Sequence, residues 1–183
     1  GMGAEVSVFG RRGRDRVWAA SHPLGGMEFV ESNPENIARH IPDMDLVVGG
    51  VLRVGERAPH VVTEAMVRSM QPGSVIVDVS VDQGGCVETT RPTSHSDPVF
   101  IEHDVIHYCV TNMPGAYPRT ATRALTERTL PYALRLAEDG TAALEADAGF
   151  LKGVNTRAGK ITCLAVAEAL ERMDVFQALE QGS

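Results

Sequence analysis

Short apolar runs rich in β-branched residues recur through the first half of the chain, separated by segments of helical period. A parallel sheet with crossover helices looks like this in sequence. The runs fall at Glu5–Phe9, Met27–Glu31, Asp45–Leu52, Ser74–Val81 and Val105–Val110. Between them, Asn33–Ile41 reads as a helix capped by Asn33 with Pro34 at its first position. Thr63–Met70 reads as a second, capped by Thr63 and stopped by Gln71-Pro72-Gly73. Five strands joined right-handedly through helices give a doubly wound α/β sheet.

From Pro118 the character changes. Alanine, leucine, arginine and glutamate recur at helical spacing over Ala121–Glu138 and again over Leu164–Met173. Pro131 is expected to start a new helical segment or kink the old one, since it removes a donor and crowds the preceding turn. Lys152–Lys160, with Gly153, Asn155 and Gly159 between, reads as an exposed loop or hairpin. The domain expectation is a partial dinucleotide-binding domain over 1–117 and a helical segment over 118–183.

Composition narrows the function. A net charge of -7 over 183 residues, without a long run of like charges, argues against a nucleic-acid or anionic-membrane surface. No apolar stretch approaches the roughly 20 residues of a membrane span, and no signal peptide is recognisable, so the expectation is a cytoplasmic protein acting on small molecules. Cys86, Cys109 and Cys163 have neither a disulfide-framework nor a zinc-site spacing, and read as free thiols. His95-Ser96-Asp97 offers two ligands without a third, so no metal is expected. His95 and His107 read as structural histidines, since no partner assigns either a catalytic role.

In an open parallel sheet, ligands bind beyond the carboxyl ends of the strands. Three such ends carry small or polar residues: Gly49-Gly50-Val51-Leu52, Asp82-Gln83-Gly84-Gly85-Cys86 and Thr111-Asn112-Met113-Pro114-Gly115. Any one of them is ordinary turn chemistry. Three facing one rim make a ligand crevice.

The runs VIVDVSVDQGGCVETTRPTSHSDPVF, HYCVTNMPGAYPRTATRALTERTLPYALRLA and KGVNTRAGKIT resemble the alanine dehydrogenase and pyridine nucleotide transhydrogenase family, on its alanine dehydrogenase side. The resemblance runs from about Asp45 to Ala167, is dense between Ser74 and Ala137, and thins over the first forty residues. It implies NAD-dependent oxidative deamination of L-alanine to pyruvate and ammonia, in a homo-oligomer that is hexameric in the family. It also implies Asp82 as the catalytic aspartate beside the nicotinamide ring. Val79, Ser80 and Val81, the pair Val51 and Leu52, and the loop Val110, Thr111, Asn112 and Met113 would line the cofactor. Ser32 would sit near its adenosine end.

Two departures from the family pattern stand out. Where an acidic residue would grip the ribose hydroxyls, this chain has Gly10 followed by Arg11 and Arg12, an arrangement that can accommodate NADP as well as NAD. No G-x-G-x-x-G occurs, so the sheet is expected to be an incomplete Rossmann-like one, lacking its first strand. The residues that hold the substrate carboxylate in the family, and its acid/base histidine, have no counterpart here. The chain therefore reads as the carboxyl-terminal part of an alanine dehydrogenase, inactive when isolated. The alternatives are a nucleotide-binding part of a transhydrogenase α-like protein and a non-catalytic dinucleotide-binding remnant.

Overall fold

A computed structural model describes residues 3–11, 13, 27–51 and 58–179. The expected α/β class is found, in two compact units that divide between Asn112 and Met113. In the first, β1 (Val6–Gly10) and β2 (Met27–Glu31) pair in parallel, with Val6 opposite Met27 and Gly10 opposite Glu31. A second sheet has the order β3 (Leu46–Gly49), β4 (Val75–Asp78), β6 (Val105–Tyr108), β5 (Val99–Glu102). Its first three strands run parallel, and β5 is antiparallel to β6. No ladder joins β1 to β3 among the described residues.

The strand β5 was not expected from sequence, because the turn that makes it carries the wrong residues. Glu102 pairs with Val105, leaving a two-residue connection in which His103 and Asp104 both take positive φ, 54° and 60°. Such a turn is usually announced by Asn-Gly or Asp-Gly. Here tertiary contacts hold it instead. His103 Nε2 lies 2.9 Å from Glu64 Oε1, and the Gly73 N–H donates to the Asp104 carbonyl at 2.8 Å.

The first helix, α1 (Pro34–His40), begins as expected: Asn33 Oδ1 accepts from the Asn36 N–H at 2.8 Å, and Pro34 opens the first turn. The second, α2 (Glu64–Val67), is capped by Thr63 but is shorter than expected, because the Ser69 and Met70 amides turn back onto the Met66 and Val67 carbonyls. Both helices bury apolar residues against the sheet. Ile37, Ile41, Val67, Met70, Ile76 and Val105 form one core, with Phe9 and Val47 packed on it. Ile76, in β4, has no exposed surface, which stabilises the fold by roughly 2 kcal/mol.

His107 is the largest buried polar side chain among the described residues, and both ring nitrogens have partners. The Val105 carbonyl, 2.9 Å from Nδ1, can only accept, so Nδ1 carries the proton and Nε2 accepts from Thr89 Oγ1 at 2.8 Å. One ring face stacks on Phe100 at 4.9 Å, and the Arg91 guanidinium lies 4.1 Å from the Phe100 ring centroid. Burial pushes the imidazole below its ordinary value of 6.5. The folded chain thus binds this proton less readily than the unfolded one. Stability from this group is present above pH 6.5 and falls as pH drops from there towards the lower folded value. His107→Phe should flatten the loss of denaturant midpoint between about pH 7 and pH 5.5. An unchanged slope would place the pH sensitivity elsewhere.

In the second unit, α3 (Pro118–Asp139) starts at Pro118 and runs through Pro131 as one helix, so of the new segment or kink expected at Pro131 the new segment does not form. Glu127, whose carbonyl loses its donor, is an exposed residue. Arg135 ties the end of α3 to the next turns, donating to Asp147 Oδ2 at 3.1 Å and to the Ala143 carbonyl at 3.3 Å. Short helices α4 (Ala142–Glu145) and α5 (Ala148–Leu151) follow. The lysine-bounded stretch is a hairpin of β7 (Thr156–Arg157) and β8 (Lys160–Ile161), turned by Ala158 and Gly159 at φ 50° and 77°. The final helix, α6 (Leu164–Ala169), stops short of the expected Met173. Glu171 takes φ 54°, and the Arg172 N–H closes back on the Ala167 carbonyl at 2.8 Å.

Candidate active site

The strand β4 ends in an aspartate whose side chain replaces the ladder. Asp78 has no exposed surface, and its side chain meets only donors among the described residues. Oδ1 accepts from the Ser80 N–H at 2.9 Å and faces Cys86 Sγ at 3.4 Å. Oδ2 accepts from the Cys86 N–H at 2.8 Å, the Val87 N–H at 3.3 Å and Thr90 Oγ1 at 2.8 Å. Both ends of the Ser80–Cys86 loop are therefore tied to one carboxylate. Inside the loop, Val81–Gln83 make a single 3-10 turn, and Gly84 and Gly85 reverse the chain at φ 99° and 77°.

Asp82 sits on this turn and differs from Asp78 in every respect. Its side chain is exposed and has no hydrogen bond or ion pair with any described residue. Next to it, Ser80 and Val81 are buried, and Val79 is half exposed. The Val79 N–H donates to the Gly49 carbonyl at 2.8 Å, and Ser80 Oγ donates to the Val51 carbonyl at 2.8 Å. The expected residues at the ends of β3 and β4 are thus brought together.

Gly49 is required by contact rather than by φ. A Cβ there would clash with Cys86 Sγ, whereas one at Gly50 would meet nothing within 4 Å. Beside these glycines is a largely apolar cavity of about 170 Å³, lined by Phe9, Ser32, Val48, Gly50 and Val51 among others. Ser32 follows β2, its N–H donating to the Gly10 carbonyl at 2.8 Å. The cavity thus runs from the ends of β1 and β2 to the end of β3. Leu52 and Arg12 lie outside the described residues.

The third expected group follows β6. Val110 is buried and bridges to Thr93, and the Thr111 N–H donates to the Thr93 carbonyl at 3.3 Å. Asn112 takes φ 56°, and its carbonyl lies 3.1 Å from His95 Nε2. This explains His95 as a structural partner of the loop. Met113 begins the second unit, in a short 3-10 turn to Ala116.

Sequence reasoning missed Asp78, Thr90 and Cys86 as builders of this site. The signal was available in Asp78, a carboxylate at the end of an otherwise apolar run, which must find donors if buried. Cys86 is buried, and its thiol is pushed up to about 11, first by burial and then by the Asp78 carboxylate. Among the described residues no group of three or more histidine, cysteine or acidic side chains could hold a metal ion, and no helix is long and apolar enough to cross a membrane.

The family described as "Alanine dehydrogenase/PNT, C-terminal domain" matches residues 1–164. The alanine dehydrogenase of Lysinibacillus sphaericus is 49% identical over 172 residues, 92% of this chain and 46% of that protein. That of Mycolicibacterium smegmatis is 45% identical over 172 residues, 93% of this chain and 46% of that protein. A solved L-alanine dehydrogenase superposes with a TM-score of 0.78 at 43% identity, covering 92% of this chain and 47% of its own. A transhydrogenase structure from Sinorhizobium meliloti superposes less closely, with a TM-score of 0.69 at 27% identity over 89% of this chain and 43% of its own. The chain spans about half the length of the curated relatives it matches. With the model match extending from the first strand pair to the start of the last helix, the chain belongs to the alanine dehydrogenase/PNT family through its C-terminal domain.

Proposed function

We propose that this chain is the dinucleotide-binding, C-terminal part of an alanine dehydrogenase that converts L-alanine to pyruvate and ammonia with NAD. The observation that carries this is the contrast between the aspartate that ends β4 and the one on the loop that follows. Asp78 is buried and committed to five donors, while Asp82 is exposed and unengaged by described residues, free to face a ligand. The higher identity to alanine dehydrogenases than to the transhydrogenase favours the deamination over the transhydrogenase reading.

The residues present fit the cofactor. A bare Gly50 and an apolar recess ending at Ser32 allow a flat, partly apolar ligand to approach the backbone. Ser32 would lie at the adenosine end, and Val51, Val79, Ser80 and Val81 nearer the reacting ring, with Val110, Thr111 and Asn112 also contributing. NAD, when bound, would supply the hydride acceptor for oxidation of the amino acid. Asp82 would stabilise the positive charge that develops at the amino-bearing carbon, a role supported by its exposed carboxylate with no partner among the described residues. The remainder of the family length would supply the groups that hold the substrate carboxylate.

Gly10 leaves no carboxylate at the end of β1 to oppose a ribose phosphate, and nearby arginines can pair with one. The test is L-alanine-dependent reduction of NAD and NADP by the full-length protein. Turnover with both cofactors, within about tenfold of each other in kcat/KM, is expected. Gly10→Asp should shift the ratio towards NAD. No alanine-dependent reduction of either would overturn the activity; a several-hundredfold NAD preference in the parent would overturn only the cofactor reading.

A further inference from the structure

The buried carboxylate at the end of β4 is not part of the rim that faces a ligand, yet it holds the loop that is. We propose that Asp78, with Thr90 as its outermost donor, is the positioning residue that fixes Asp82 for the reaction. The inference rests on the catalytic reading of Asp82 given above.

The geometry is a clamp. Oδ1 holds the entry to the loop through the Ser80 N–H, and Oδ2 holds its exit through the Cys86 N–H. One rigid, planar group therefore sets the separation of the loop ends. Between them, the Gln83 N–H bonds to the Ser80 carbonyl at 2.9 Å, Gly84 to Val81 at 3.2 Å and Gly85 to Ser80 at 3.0 Å, so the intervening turn is determined once its ends are. Ser80 Oγ ties the same point to the end of β3.

An ordinary turn needs no buried charge. A carboxylate taken from water without a cation is costly unless donors surround it, and here all its contacts with described residues are donors. Charge-assisted bonds to backbone N–H groups are stronger and stiffer than neutral ones. Asp82 has no side-chain bond to a described residue that could orient it, so its position comes from the backbone alone.

Thr90 gives the graded test. Its hydroxyl lies 2.8 Å from Asp78 Oδ2 and 2.8 Å from the Val87 carbonyl, so removing it loosens the clamp while both backbone bonds to the loop ends persist. In the full-length protein, Thr90→Val should lower kcat about tenfold with KM for NAD unchanged, as expected for a small displacement of a reacting group. Thr90→Ser should restore kcat. On an Asp82→Asn background, Thr90→Val should have no further effect on kcat, because the residue through which it acts is already disabled.

Asp78→Asn turns amide hydrogens towards backbone donors and should lower kcat further where the protein folds; the Thr90 series decides the matter in either case. If Asp82→Asn lowers kcat but Thr90→Val does not, the positioning role is overturned and the catalytic reading stands. If Thr90→Val lowers kcat equally in both backgrounds, it acts by another route and the proposal fails. Parental kcat in Asp82→Asn would overturn the catalytic reading and the proposal together.

Discussion

Asp82→Asn in the full-length protein is expected to lower kcat by about 10²-fold or more while changing the dissociation constant for NAD by less than about threefold. The substitution preserves shape and removes charge. Nothing in the loop depends on that charge, since the loop is closed by Asp78 and by its own backbone bonds. The surface offered to the dinucleotide should persist, and the loss should fall on the chemical step, where a positive centre develops and the carboxylate would have met it. Steady-state rates with L-alanine and a titration of bound NADH fluorescence separate the two quantities. Equal losses of affinity and turnover would make Asp82 a binding residue, and a parental rate would make it a turn residue.

Gly85→Ala should be the most damaging of the small substitutions in this loop, costing about 2–5 kcal/mol. Two separate penalties meet at this position. Its φ of 77° disfavours any side chain, and a Cβ would lie 2.6 Å from Thr90 Oγ1 and 3.0 Å from Asp78 Oδ2. Gly73 supplies the control, because it has a similar φ of 86° and nothing within 4 Å of a Cβ. Gly73→Ala should cost only about 1 kcal/mol, through strain alone. The difference between the two denaturation midpoints measures how firmly the carboxylate and Thr90 hold their places. Equal losses would show that they give way freely.

The parts of this fold legible in the sequence are those with local causes. Asn33 with Pro34 and Thr63 announce helix starts because their side chains or fixed φ act within one turn. The runs at Leu46–Gly49 and Val75–Asp78 announce strands because each is a short apolar run rich in β-branched residues, although only the second is covered on both faces: Leu46 and Val48 are exposed. Where a distant residue decides, the sequence is silent. The strand Val99–Glu102 depends on a turn at His103-Asp104 that is held through Glu64 and Gly73, far away in the chain. At Pro131 the local penalty leaves a new segment or a kink open, and the new segment does not form: the helix continues through an exposed stretch.

The candidate site shows the same division. Asp82 could be singled out because it lies in a glycine-rich strand end, and resemblance gave it a role. Asp78 could not, because its importance lies in donors at positions 80, 86, 87 and 90 that converge only when the loop closes. A carboxylate four residues upstream of the noticed one looks, in sequence, like the end of a strand.

The closed loop also has a consequence for how the protein meets oxidants and alkylating reagents. With its thiol pushed up to about 11, Cys86 is held in the protonated, unreactive form at pH 7. It also has no exposed surface. Cys109 is likewise buried and pushed up to about 11, which leaves the partly exposed Cys163 as the thiol that reagents meet first. The sulfur wedged against Gly49 is thus chemically silent for as long as the carboxylate holds the loop shut, and its modification would mark each opening of that loop.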